Sequence, residues 1–133
     1  MPGDFDDLWP LIADFGHTIS PEREVAASSF QALEASADAV VLVARDGEEL
    51  VGYCLVNRQY TLFANAPVGY VQELMVKPEA RRGGVARALM GAAERWCADA
   101  GCAYVSVATR RAGDFYRAVG YEESATFFKK TLG

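Results

Sequence analysis

Apolar residues recur along this chain either at helical spacing or in short unbroken runs, and the switches between the two mark out its elements. Leu8, Leu11, Ile12 and Phe15 repeat at helical spacing behind an acidic start, Asp4 to Asp7, which suits a helix N-terminus. Pro10 falls inside that pattern, so the helix is expected to begin late or to bend. Ser20-Pro21-Glu22 reads as a second helix start, with Ser as cap and Pro at the first helical position. Ala26, Phe30, Leu33 and Ala37 then form its apolar face.

The apolar residues next come in short unbroken runs. Residues 40–44 are a β-branched strand, Asp46-Gly47 a tight turn, and residues 50–56 a returning strand. A loop rich in aromatics, residues 60–67, leads to a third strand at 68–76. Residues 84–98 form the longest helix, with Val85, Leu89, Ala93 and Trp96 on one face and Gly101 near its end. A buried strand at 103–108, a short helix at 114–119 and a final strand at 121–132 complete the order α-α-β-β-β-α-β-α-β. That order predicts one α/β (α+β) domain with a mixed sheet and helices on both faces. The strands flanking the long helix are expected to be parallel neighbours joined by a right-handed crossover.

Composition narrows the function. With 133 residues, 51% apolar and 23% charged, the chain is ordinary globular protein. No apolar run approaches a membrane span and no basic-then-apolar leader opens it, so a cytoplasmic protein is expected. A net charge of −5 argues against general nucleic-acid binding. Yet Lys77, Arg81, Arg82 and Arg87 stand against a single acid, Glu79. A local positive patch on an acidic chain suggests a polyanionic cofactor there and a cationic substrate elsewhere. Cys54, Cys97 and Cys102 are odd in number and lack a C-x-x-C pair, so they read as small buried hydrophobes rather than a disulfide framework or metal site. His17 has no acidic or hydroxyl partner nearby in sequence and reads as a surface or capping residue.

The richest chemistry lies between Tyr70 and Met90, where a strand passes through a Pro-containing charged turn into Gly83-Gly84 and straight into a helix. Unpaired N–H groups and partial positive charge gather at a helix start, and glycine lets the backbone close around a phosphate. A pyrophosphate site follows. It is not a P-loop, since no Lys-Ser/Thr pair follows the glycines, and it is not the GxGxxG dinucleotide fingerprint.

Arg81-Arg82-Gly83-Gly84-Val85-Ala86 resembles the R/Q-x-x-G-x-G/A signature of the GNAT superfamily of acyl-CoA N-acyltransferases. The segment from Ala112 to Tyr121 resembles that family's late A-x-x-F/L-Y-x-x-x-G-F/Y element, in the right order and about thirty residues on. The resemblance implies a mostly antiparallel central sheet whose first strand is missing or truncated here, residues 1–4 matching only that strand's tail. Such an open sheet edge favours a homodimer over a monomer.

It also implies acetyl-CoA in a V-shaped opening between the strands at 68–76 and 103–108. The pantetheine arm would pair with the backbone of Leu74, Met75 and Val76, and residues 81–86 would wrap the pyrophosphate. Tyr116 stands where the family places a tyrosine near the CoA sulfur, with Phe115 as its packing neighbour. Glu73 is the candidate base, acting through water, or a carboxylate that attracts a cation. Thr109 occupies a position where many relatives carry Asn; a hydroxyl cannot make an amide's paired contacts. Tyr60, Phe63 and Asn65 would lie on a substrate loop. The implied reaction is direct acetyl transfer from acetyl-CoA to a primary amine of a small molecule or peptide, with no cysteine placed to carry an acyl group. The alternative, a non-catalytic acyl-CoA-binding module, would need the turn but neither Tyr116 nor Glu73.

Overall fold

The computed structural model describes residues 2–15, 19–81, 83–109 and 112–133. Two helices come first, α1 (Pro2–Phe15) and α2 (Arg23–Ala35), then β1 (Ala39–Asp46), β2 (Glu49–Gln59) and β3 (Val68–Val76). A 3-10 turn at Pro78–Ala80 precedes α3 (Val85–Asp99), β4 (Val105–Val107) and α4 (Gly113–Ala118). The sheet order is β1-β2-β3-β4. β1, β2 and β3 are antiparallel, and β4 joins β3 in parallel across α3. The β1–β2 hairpin closes over Gly47-Glu48, with Gly47 at φ +65° where a side chain would be strained.

Helices cover both faces, as the residue pattern predicts. On one, Phe5, Leu8 and Leu11 of α1 and Phe30 of α2 bury Leu50 and Tyr53 of β2. On the other, Leu89, Met90, Ala93 and Cys97 of α3 and Tyr116 of α4 pack on Cys54, Val56 and Val71. Gly52 lets α3 lie close to the sheet: a Cβ there would sit 3.1 Å from the Met75 carbonyl oxygen and 3.1 Å from Val85 Cγ1. Gly52→Val is therefore expected to destabilise the fold by about 1–3 kcal/mol, the usual range for overpacking, measured by denaturant unfolding. Unchanged stability would mean that α3 shifts away freely.

Several expected boundaries move. α1 runs through Pro10 without starting late, because Leu8 and Leu11 on either side are fully buried and hold the helix to the sheet. The missing N–H leaves only the Asp6 carbonyl without its helical donor, on an exposed stretch. Residues 2–4, read as a strand tail, are the first turn of α1. α2 starts at Arg23 behind an extended Glu22, so Ser20-Pro21 lies outside it. β4 is three residues long, and residues 121–133 form no strand, a correction to the expected final strand. Tyr121 is tied down by its N–H on the Tyr116 carbonyl and its hydroxyl on Glu94, but Phe127 and Phe128 beyond it are 69% and 87% exposed. A segment becomes a strand only when a neighbouring edge pairs with it, and this one meets none among the described residues. None of the described helices is long and apolar enough to cross a membrane.

Candidate active site

The pairing of β3 with β4 stops early. Gly69, Tyr70 and Val71 face Val105, Ser106 and Val107, and beyond Val71 the two strands separate. Residues 72–76 therefore present an unpaired edge toward β4 among the described residues. The Lys77 N–H bonds the Val51 carbonyl, and antiparallel backbone groups alternate sides along a strand. By that alternation the main chain of Met75 faces β2, while that of Leu74 and Val76 faces the opening. Of the three residues expected to offer backbone contacts, Leu74 and Val76 face the opening, with the Val76 carbonyl taken by Arg81, and Met75 faces β2.

A bulge sets which side chains border this opening. Leu55 pairs with Glu73 and Val56 with Val71, leaving Gln72 as the extra residue. The bulge turns Glu73 and Met75 to the α1/α2 face while Val71, Leu74 and Val76 stay on the α3 face. Glu73 is half-buried and accepts a 2.7 Å hydrogen bond from the Tyr53 hydroxyl. Tyr53 lies in the apolar layer beneath α1, where burial first and Glu73 second hold its ionisation far above the usual range. This partner of Glu73 was missed in the sequence, because nothing in the spacing of residues 53 and 73 signals it before the register is known.

Tyr116 approaches from the opposite face. It is 8% exposed and packs edge-on against Phe115 (5.1 Å between centroids) and Tyr121 (5.9 Å). Burial, with a smaller contribution from Cys54, pushes its hydroxyl up to about 12. No described residue takes up that hydroxyl in a hydrogen bond. Thr109 is engaged locally, its Oγ1 accepting the Ala112 N–H at 3.0 Å just before α4.

At the far end of β3, Gly84 caps α3 in the left-handed region, φ +81°. Its carbonyl accepts the Ala88 N–H at 3.0 Å, so the helix starts here, and its first turn holds no acid. The N–H groups of Val85, Ala86 and Arg87 have no backbone acceptor among the described residues, which suits an anion. A Cβ on Gly84 would meet nothing within 4 Å, so the space before the helix is open. Arg81 is fixed by its Nε–H on the Val76 carbonyl at 3.1 Å, leaving its terminal nitrogens without a partner among the described residues. Lys77 is drawn off by an ion pair with Glu49 at 2.7 Å, and Arg82 lies outside the described residues. With Lys77 paired, the positive patch is narrower by one charge than the sequence suggests.

Other expectations divide. Tyr60, Phe63 and Asn65 sit at the opposite end of β3 from the Arg81–Ala86 turn, and Tyr60 lies beneath the Arg58 guanidinium, 5.5 Å from its ring centre. Cys54 and Cys97 are buried free thiols, their ionisation pushed up by burial to about 12 and about 11. His17 lies outside the described residues. A groove of about 730 Å³ between α3 and the β1–β2 hairpin touches Gly83 and Gly84 but neither Glu73 nor Tyr116. Glu73 lies on the β3 edge that β4 leaves unpaired, and Tyr116 belongs to the core cluster on the α3 face of the same strand.

Residues 5–121 match the acetyltransferase (GNAT) family. The chain is 32% identical to an aminoglycoside N(6')-acetyltransferase type 1 of Stenotrophomonas maltophilia, over 94% of this chain and 81% of that one. Among solved structures it is similar to a transcriptional regulator from Bacillus halodurans C-125, at TM-score 0.88 and 20% identity over 99% of this chain and 95% of that one. It is also similar to AAC(6')-Iy in complex with the bisubstrate analog CoA-S-monomethyl-acetylneamine, at TM-score 0.82 and 18% identity over 98% and 93%. At these identities the structural likeness speaks for the fold.

Proposed function

Since this chain belongs to the acetyltransferase (GNAT) family, we propose that the acceptor in its transfer of an acetyl group from acetyl-CoA is a primary amine on a cationic, amine-rich small molecule of the aminoglycoside kind. The observation that supports this is the β3 edge that β4 leaves unpaired beyond Val71, with Glu73 bonded to Tyr53 on the α1/α2 face and Tyr116 in the core cluster of the α3 face. The activity of the Stenotrophomonas maltophilia relative and the net charge of −5 both favour a polycation over a neutral amine.

Each residue then has a role. The N–H groups at the start of α3, with Arg81, suit the pyrophosphate of acetyl-CoA, and the edge groups of Leu74 and Val76 suit its pantetheine amide. The amine nitrogen bonds to the acetyl carbon and the C–S bond breaks. The proton lost by the amine passes to Glu73 or to a water it holds, and the departing thiolate accepts the Tyr116 hydrogen bond.

The experiment is a CoA-release screen across aminoglycosides, linear polyamines, amino acids and peptides. Aminoglycosides are expected to give the highest kcat/KM. A clear preference for peptide N-termini or neutral amines would overturn the substrate class while leaving acetyl transfer intact.

A further inference from the structure

A hydroxyl inside an apolar layer demands an acceptor. Tyr53 is 3% exposed and packs with Phe5, Leu8, Leu11, Phe30 and Leu50, none of which offers one. A phenylalanine would fill the same space without that need. The Tyr53 hydroxyl instead reaches Glu73 Oε1 at 2.7 Å. Its ring is steadied from α1 by Phe15, 6.5 Å away between centroids. Glu73 is brought to this face by the Gln72 bulge, two residues beyond the last β3–β4 pair. Among the described residues Glu73 has no other hydrogen bond or ion pair, so Oε2 is uncommitted.

We propose that Tyr53 is a positioning residue for acetyl transfer: it holds one oxygen of Glu73 so that the other is offered to the acceptor amine. The inference rests on the role given to Glu73 above. A free glutamate side chain samples several rotamers and must give them up on engaging an ammonium. One short charge-assisted hydrogen bond to a buried phenol removes that freedom beforehand. Tyr53 does this without touching either substrate, because it lies under α1 and acts through the carboxylate.

The test is a double-mutant cycle with the fastest acceptor of the amine screen. Tyr53→Phe is expected to lower kcat/KM for the acceptor roughly tenfold, the scale of a lost hydrogen bond to a charged group. The KM for acetyl-CoA should stay within about twofold, since uniform binding of that substrate is untouched. Placed in a Glu73→Gln background, where the amide oxygen still accepts the phenol and the fold is held, Tyr53→Phe should cause no further loss. An equal loss in both backgrounds would overturn the proposal. So would a lowered melting temperature with acceptor kcat/KM unchanged, which would make the pair structural only. If Glu73→Gln itself keeps full activity at every pH, the role of Glu73 fails first and takes this proposal with it. If Glu73→Gln is impaired but Tyr53→Phe is not, only the proposal falls.

Discussion

Changing Tyr116 to Phe is expected to lower turnover by about 10²–10⁴-fold, while acetyl-CoA affinity barely moves. The substitution keeps the ring that packs on Phe115 and Tyr121 and removes only the hydroxyl. That hydroxyl is pushed up to about 12 by burial and by Cys54. A thiol titrates near 8.5, so complete proton transfer from this phenol to the departing thiolate would be uphill by roughly 5 kcal/mol. In the proposed reaction Tyr116 would therefore serve as a hydrogen-bond donor to the leaving sulfur, a contact that strengthens as negative charge grows there. Because it stays protonated throughout the working range, its loss should depress the whole pH–rate profile without moving an inflection. Steady-state kinetics across pH, with acetyl-CoA binding by calorimetry, checks both halves. Turnover within a few-fold of the parent would make Tyr116 a packing residue.

Gly84→Val should abolish acetyl-CoA binding at concentrations that saturate the parent. Gly84 sits at φ +81°, a region that a β-branched residue enters only under strain. No internal clash arises, so the conformational penalty is about 1–2 kcal/mol and the fold should survive. The new side chain would project into the open space before α3, and relief of the strain would swing the Val85 and Ala86 N–H groups away. Calorimetric titration should show the loss for CoA but not for a pantetheine fragment lacking phosphates. A folded variant with unchanged CoA affinity would remove the pyrophosphate assignment.

What could be read in advance was whatever is local. Gly83-Gly84 before a helical repeat announced the cap of α3, and the apolar segment at residues 68–76 matched β3 at both ends. Pairing was not local. Residues 121–132 are expected as a strand, but a strand needs an edge, and no sequence pattern says whether one is free. The Gln72 bulge was equally hidden, though it decides that Glu73 faces α1 rather than α3. Lys77 reads as part of the positive patch beside Arg81, but it is paired with Glu49 on the neighbouring strand, a contact that depends on register rather than on local sequence. Pro10 looked like a helix breaker because its local effect is real; burial of Leu8 and Leu11 outweighs it.

The thiols of this protein bear on a hazard built into its chemistry. Each cycle releases CoA, itself a thiol, and oxidised CoA can exchange with any accessible protein thiolate. Cys54 belongs to the same packed cluster as Tyr116, so a mixed disulfide there would block the site. Burial of Cys54 and Cys97, with their ionisation held near 12 and 11, leaves almost no thiolate at neutral pH and no access for an attacking disulfide. Packing under α3 thereby makes these two cysteines inert toward the disulfide that released CoA forms once it is oxidised.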